Sequence, residues 1–364
     1  MSVKNLLSNE YYICLKGNQK PIYWDLSESE PKIKIDCSLT YFSRVFKFME
    51  QSLDLKNLVF YLTWENLEQL PSYGENVVAI VLGDEWCRTP QYSHKIRATF
   101  KCYGTSPKLL CNPFLQPTYV NFITWVHFVK AWIVGLPGRL NYLFHFYQNQ
   151  FFGTDKRFPA IYHIPLGYYN QMDLTTKELE SRPYDVFFAG SLTRKPATIR
   201  HPIKFLRFFW RYWFSQKNIS RQNLLRYVNQ CQEKHPDLRF ELSLSSGFGG
   251  KQGGIETESY SEKMMNTKVC LVPRGTSFET FRFFEALRYG CIPVTEALPS
   301  SWFYDGSPDI KLKDWSELEE VLTGLFANKH LMQEKHQECL NWWKSKCSEA
   351  VVGNYIAEKL NTTI

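Results

Sequence analysis

Apolar positions along this chain change their period again and again. The runs "NLVFYL" (57–62), "NVVAIVL" (76–82), "ATFKCYG" (98–104) and "AIYHIPLG" (160–167) are short, rich in β-branched or aromatic residues and bounded by turn formers. That pattern predicts strands. Between them, "SLTYFSRVFKFMEQSL" (38–53) has helical spacing, and a second helix is predicted over 121–134. After residue 180 the rhythm restarts. "YDVFFAGS" (184–191) predicts a strand, followed by helices at 197–216 and 219–234 and a strand at 238–245. Then come a Gly-rich loop (246–254), a helix at 258–266, a strand at 268–272, a helix at 277–289 and a strand at 291–295. Helices at 316–327 and over "HLMQEKHQECLNWWKSKCSEAVVGNYIAEKL" complete the pass.

Alternation of strands and helices is the signature of α/β architecture with parallel sheets. Its restart predicts two such units in tandem. The expected division is residues 1–172 and 173–335, with the helices of 336–364 packing back on the first domain. Ligands bind beyond the carboxyl ends of strands in such sheets, so the residues directly after each strand deserve the first look.

Composition narrows the picture further. The chain has 364 residues and a formal charge of +7. That excess suits a polyanionic ligand such as a nucleotide diphosphate, or an anionic membrane surface. It is too dispersed for nucleic acid, since no run of five like charges occurs. Ten cysteines include no Cys-x-x-Cys pair, which argues against a zinc ribbon. "MSVKNLLSNEYY" lacks the apolar core of a signal peptide, so reduced thiols and a cytoplasmic setting are expected. The sequons at Asn218 and Asn361 then read as chance. "FITWVHFVKAWIVGLPG" is broken by His127, Lys130 and the Gly135–Pro137 turn, and is expected to be a buried or interfacial helix rather than a span.

The stretch "VCLVPRGTSFETFRFFEALRYGCIPV" (269–294) reads as strand, turn, helix, turn, strand. Thr276 with Glu279 forms a capping-box pattern that would start the helix at Ser277. Gly290 fits the left-handed position that ends it. Arg282, Glu285 and Tyr289 share one edge of the helix. One reading is an Arg282–Glu285 pair across a turn; the other is a ligand edge, with the carboxylate taking ribose hydroxyls and the arginine a phosphate. The free N–H groups at the helix start offer phosphate a further hold.

This stretch resembles the C-terminal signature of exostosin-like glycosyltransferases: Pro-Arg-Gly, Thr280-Phe281-Arg282, Glu285-Ala286-Leu287, then Gly-Cys-Ile-Pro-Val. "YDVFFAGSLTRK" is similar to the first strand and basic turn of the same domain. The resemblance implies a GT-B fold, in which two Rossmann-like doubly wound domains face a cleft. It implies a nucleotide-sugar donor, as UDP-sugar, bound by the second domain as co-substrate, and a glycan or lipid-linked glycan acceptor bound by the first. It further implies inversion at the anomeric carbon without a catalytic metal or other cofactor. Glu285 would hold the ribose. Arg274, Thr280 and Arg282 would hold the diphosphate, Gly275 would belong to the same donor-binding turn, and Arg194 would sit across the phosphates. Retaining relatives carry a second glutamate eight positions before the ribose-binding one; Ser277 stands there, which favours inversion.

An inverting transfer needs a base on the acceptor side. In "VVAIVLGDEWCRTPQY", Asp84 and Glu85 follow a predicted strand directly and are the candidates. The alternative is that one of them caps the next element or pairs with Arg88 or Arg97. His94 and His163 are lesser candidates. The loop "SGFGGKQGG" lacks the Walker pattern, because Gln252 stands where Ser or Thr is required. Lys251 and Tyr260 are near enough in sequence to approach the base or phosphate. The aromatic–basic stretches 203–217 and 137–153 read either as core with cation–π contacts or as helices touching a membrane interface. Two rival functions fit the same fold: a UDP-sugar epimerase, and a non-catalytic glycan-binding module.

Overall fold

In both halves of the chain, the predicted apolar runs become parallel strands buried on two faces, as continuous Val, Ile and Phe patterns demand. The computed structural model describes residues 9–17, 20–27, 39–153, 158–169, 172–192, 212–245 and 257–362. Its chain divides into two compact units. One comprises Met1–Pro107, Phe128–Leu166 and Ser348–Ile364; the other comprises Lys108–His127 and Gly167–Cys347. Breaks were expected after residues 172 and 335. The chain instead changes unit at 107/108, 127/128, 166/167 and 347/348.

The first unit holds a six-stranded sheet in the order β2-β1-β3-β4-β5-β6. Its strands are β1 (Glu10–Cys14), β2 (Ile22–Tyr23), β3 (Val59–Thr63), β4 (Gly74–Val81), β5 (Ile96–Lys101) and β6 (Ala160–His163). All neighbours are parallel except β1 and β2. Helix α1 (Leu39–Ser52) buries Tyr41, Phe42, Val45, Phe46 and Met49 at helical spacing.

Helix α2 (Tyr119–Phe152) corrects an expectation: it does not end at the Gly135–Pro137 turn but runs 34 residues through it. Proline removes one ladder hydrogen bond and would normally kink or break a helix. Three local contacts make up for it. Gly138 packs so closely that a Cβ there would lie 2.1 Å from Thr89 O. Arg139 Nη2 reaches back to Trp132 O at 2.5 Å, and its guanidinium lies 4.2 Å from the centre of the Trp132 ring.

The second unit holds a five-stranded sheet, β11-β10-β9-β7-β8, parallel throughout. Its strands are β7 (Tyr184–Ser191), β8 (Phe240–Ser245), β9 (Thr267–Val272), β10 (Ile292–Thr295) and β11 (Ile310–Lys311). The helices are α3 (Gln216–Lys234), α4 (Thr257–Met265), α5 (Phe281–Tyr289), α6 (Leu318–Ala327) and α7 (Lys329–Trp342). Val186, Phe188, Val269, Leu271, Ile292 and Val294 from the sheet meet Leu224 and Val228 of α3 and Leu318 and Leu322 of α6 in the core. The expected two α/β units, each built on a largely parallel sheet, are thus present. Helix α8 (Glu349–Thr362) returns to the first unit and packs on α1. Gly353 makes that approach: a Cβ there would lie 2.5 Å from Val45 O. The sequon side chains are both committed. Asn361 bonds Ser52 O and Asp54 N; Asn218 is buried and donates to Tyr212 O.

Helix α5 ends as expected. Gly290 is left-handed (φ 68°) and donates to Ala286 O and Leu287 O. His336 Nδ1 lies 2.7 Å from Gly290 O, so Nδ1 carries the proton and donates. Burial is the main cause holding the His336 pKa below its ordinary 6.5. A base depressed in the fold is neutral in both states above 6.5 and costs nothing there. As pH falls below 6.5 the unfolded chain takes up the proton first, and stability is lost until the folded pKa is passed. His94 is shifted the same way, first by burial and then by His145. A melting temperature that falls between about pH 7 and pH 5 is therefore expected, with a smaller slope in His336→Asn. An equal slope in the variant would remove His336 from the account.

Candidate functional site

Strand order locates the site. In the second sheet the chain winds from β7 to β8 on one side, then crosses to β9, β10 and β11 on the other. Parallel sheets of this order open a crevice at the reversal, beyond the carboxyl ends of β7 and β9. In the first sheet the described strands β1, β3, β4, β5 and β6 lie side by side in chain order, without such a reversal.

Two expected residues of α5 converge there. Arg282 is buried, and its Nη2 donates to Ala189 O near the end of β7. Its guanidinium lies 5.0 Å from the centre of the Phe188 ring. Nε and Nη1 of the same group are buried without a hydrogen-bond partner. A guanidinium with two orphaned donors is expensive to bury and is suited to an anion. Thr280 Oγ1 is likewise buried and unpartnered. Thr280 is the N-cap of α5, yet its side chain makes no cap bond.

The helix thus begins at Phe281 and not at Ser277, and the expected Thr276–Glu279 capping box gives way to a turn. In that turn Gly275 N donates to Ser277 O at 2.8 Å, and Glu279 N donates to Ser277 Oγ at 3.3 Å. The first turn of α5 therefore presents N–H groups next to the Thr280 hydroxyl.

Glu285 does not turn toward Arg282. Its Oε1 accepts from Tyr169 N at 3.0 Å and its Oε2 from Tyr260 Oη at 2.9 Å. Burial first, then the Glu285 charge, pushes the Tyr260 phenol well above its usual pKa, so it stays a donor. These two donors fix the plane of the carboxylate.

Arg274 follows β9 as expected but is engaged elsewhere. Its Nε pairs with Glu296 Oε2, its Nη1 donates to Thr124 Oγ1 at 2.5 Å, and its guanidinium stacks 4.3 Å from the centre of Phe278. Glu296 also takes Ser220 Oγ and, at 2.8 Å, Trp315 Nε1. This buried hub was not anticipated, although the rule that singled out Asp84 applies equally to Glu296, which directly follows β10. Arg221 was also missed; its Nη1 bonds Ser191 O at 2.6 Å and Ser191 Oγ at 3.1 Å.

In the first unit, Asp84 lies just beyond β4 and is buried. Its carboxylate takes the Arg88 guanidinium at 2.8 Å through both Nε and Nη2, the Arg88 N–H at 2.8 Å, and Lys101 Nζ at 3.2 Å. Lys101 is itself fully buried and also donates to Asp84 O and Cys102 O. Asp84 is thus the residue that pairs with Arg88, and it ties the turn together. Glu85, beside it, is half-buried. His94 stacks on His145 with ring centres 3.7 Å apart, and His163 ends β6. Arg194, Lys251, the Gly-rich loop 246–254 and most of 203–217 lie outside the described residues.

Comparison with known proteins agrees with the α5 motif. Residues 143–297 match the Exostosin GT47 domain. An Exostosin-1 homolog of Caenorhabditis elegans is 44% identical over 63 residues, which is 17% of this chain and 15% of that protein. Ribitol-5-phosphate xylosyltransferase 1 of Danio rerio is 26% identical over 143 residues, 35% of this chain and 32% of that one. The chain thus matches a third or less of the length of these relatives. Among solved structures, one of a GtfA/B complex aligns at 13% identity over 79% of this chain and 57% of its own, with a TM-score of 0.40. Residues 143–297, which hold the α5 motif, are thus similar to an exostosin GT47 domain of the glycosyltransferases.

Proposed function

We propose that the protein transfers a sugar from a nucleotide diphosphate donor, UDP-sugar, to a hydroxyl of a glycan acceptor, free or lipid-linked, with inversion and without a metal. The observation that carries this reading is the pairing of orphaned donors on Arg282 and Thr280 with the oriented Glu285 carboxylate, at the reversal of the second sheet. Glu285 accepts the two ribose hydroxyls. Arg282, Thr280 and the first N–H groups of α5 hold the diphosphate and stabilise the charge it gains as it leaves. Arg194 belongs to the same proposed set. Arg274 and Gly275 build the turn that carries these groups, Arg274 through its pair with Glu296.

In the reaction the acceptor oxygen attacks the anomeric carbon as the bond to the diphosphate oxygen breaks, in one displacement. The acceptor proton passes to a carboxylate. Glu85, half-buried directly after the strand end, is assigned as the base, and Asp84, held by Arg88 and Lys101, as the residue that sets the turn. UDP is chosen over other nucleotides on the exostosin-like motif.

Calorimetric titration with UDP, GDP, CMP and ADP, with and without EDTA, tests the donor side. UDP is expected to bind selectively and equally well with chelator. Absence of binding by all four would return the α5 edge to a structural role. Glu85→Gln is expected to slow transfer by roughly 10²- to 10⁴-fold with UDP affinity unchanged. Undiminished transfer would remove Glu85. Release of UDP that depends on added acceptor separates transfer from epimerisation and from mere glycan binding.

A further inference from the structure

Helix α2 carries no Asp or Glu in its 34 residues and one residue each of Lys and Arg. From residue 128 on, it is fastened to the first unit by one face. Ala131, Gly135 and Gly138 are buried, Asn141 Nδ2 donates to Gln91 O at 3.0 Å, Tyr142 Oη donates to Pro159 O at 3.0 Å, and His145 stacks on His94. These positions recur every three or four residues, so they form one stripe.

The opposite stripe is apolar and open to solvent. Ile133, Leu136, Leu140, Phe144, Tyr147 and Phe151 are exposed, Ile133 and Phe144 at 65% and Phe151 at 72%. The bases do not break it: Lys130 lies over Trp86 and Arg139 over Trp132. An apolar surface of this extent marks a docking site.

The occupant follows from its breadth and chemistry. A two-helix seam is narrow and is flanked by charged pairs. This face is broad, with Trp132 and Phe146 exposed beside the stripe, and α2 has no acidic residue to flank a seam. Trp and Tyr at the edge of an apolar face suit the headgroup level of a bilayer. By length and composition α2 could cross a membrane, but one stripe is fastened to the first unit, so the helix lies in the plane of an interface. Charge agrees: α2 carries no carboxylate and the chain has a formal charge of +7. Of the bases in the cavity lined by Val134, Gly135, Pro137 and Gly138, Arg88 is paired with Asp84 and Lys16 with Glu65, and Lys20 stands beside Glu68.

We infer that the exposed face of α2, residues 132–152, docks the protein on a membrane surface bearing anionic headgroups, with the apolar side chains entering the acyl boundary. The inference goes beyond the transfer reaction and does not depend on it.

Flotation of the full chain with vesicles tests it, using phosphatidylcholine alone and phosphatidylcholine mixed with phosphatidylglycerol. The wild type is expected to float with the anionic vesicles and to be released in part by salt. Leu140→Glu with Phe144→Glu is expected to lower the bound fraction roughly tenfold or more while keeping UDP affinity. If that pair fails to fold, Phe144→Ser carries the comparison. Failure of the wild type to float with either vesicle overturns the inference, whatever the nucleotide titrations give. A wild-type dimer in sedimentation that the double variant breaks, without flotation, overturns it in favour of a second copy.

Discussion

Glu285→Ala is expected to weaken UDP binding by roughly 10²- to 10⁴-fold, because each hydrogen bond to a charged group contributes about 1.5–3 kcal/mol and two ribose hydroxyls are held. The carboxylate is set for this by Tyr169 N and Tyr260 Oη. Alanine removes the acceptor and leaves both of those donors unmatched, so a loss of stability accompanies the loss of affinity. Glu285→Gln separates the two effects. It keeps the shape and one oxygen, so it should fold nearly as well as the wild type and bind at an intermediate level. Calorimetry and thermal unfolding on the three proteins provide the comparison. UDP affinity in Glu285→Ala within about threefold of wild type would put the ribose elsewhere.

The second large effect is on stability. Arg274→Met is expected to cost about 3–5 kcal/mol, the penalty for leaving a buried charge without its partner. Glu296 would remain buried with Ser220 and Trp315 as its donors. Removing both charges, as Arg274→Met with Glu296→Leu, should recover much of the loss, since an apolar pair of similar volume is often neutral. The pattern distinguishes the bracing role from a direct grip on phosphate. A phosphate ligand would lose UDP affinity on substitution and leave denaturant unfolding unchanged; that result would restore Arg274 to the diphosphate.

How much of this was readable in the sequence depended on the range of the interactions. Strand β7 and the Gly290 helix end were legible because a run of apolar residues and one glycine decide them locally. The start of α5 was misplaced because Thr276 and Glu279 satisfy a local rule that the turn through Gly275 and Ser277 overrides. Helix α2 was cut short because Pro137 is a strong local signal, while the contacts that tolerate it, Gly138 on Thr89 and Arg139 on Trp132, are tertiary or depend on the helix already existing. Strands β1, β2 and β11 were missed; two of them have only two residues and sit at sheet edges. At the site, the sequence placed Asp84 correctly at a strand end. Its role is set by Lys101, 17 residues on, which alternation along β5 does not reveal. The Arg282–Glu285 edge was found by helical spacing, but spacing alone left open whether the two side chains meet. Tyr169 and Tyr260 draw the carboxylate aside.

The return of α8 to the first unit has a consequence for biosynthesis. Ser52 Oγ meets Asn354 Oδ1 across 302 positions of chain. At 5–20 residues per second, a ribosome needs about 15–60 s to supply the partner of α1 after α1 has emerged. Over that interval Gly353 is not yet in place against Val45, and the face of α1 that α8 covers waits uncovered. The second unit has all its segments before then, so it matures first, while the nascent first unit offers a holdase chaperone a defined apolar ledge. Pulse-labelled chains halted shortly before residue 348 would be the species to look for on such a chaperone.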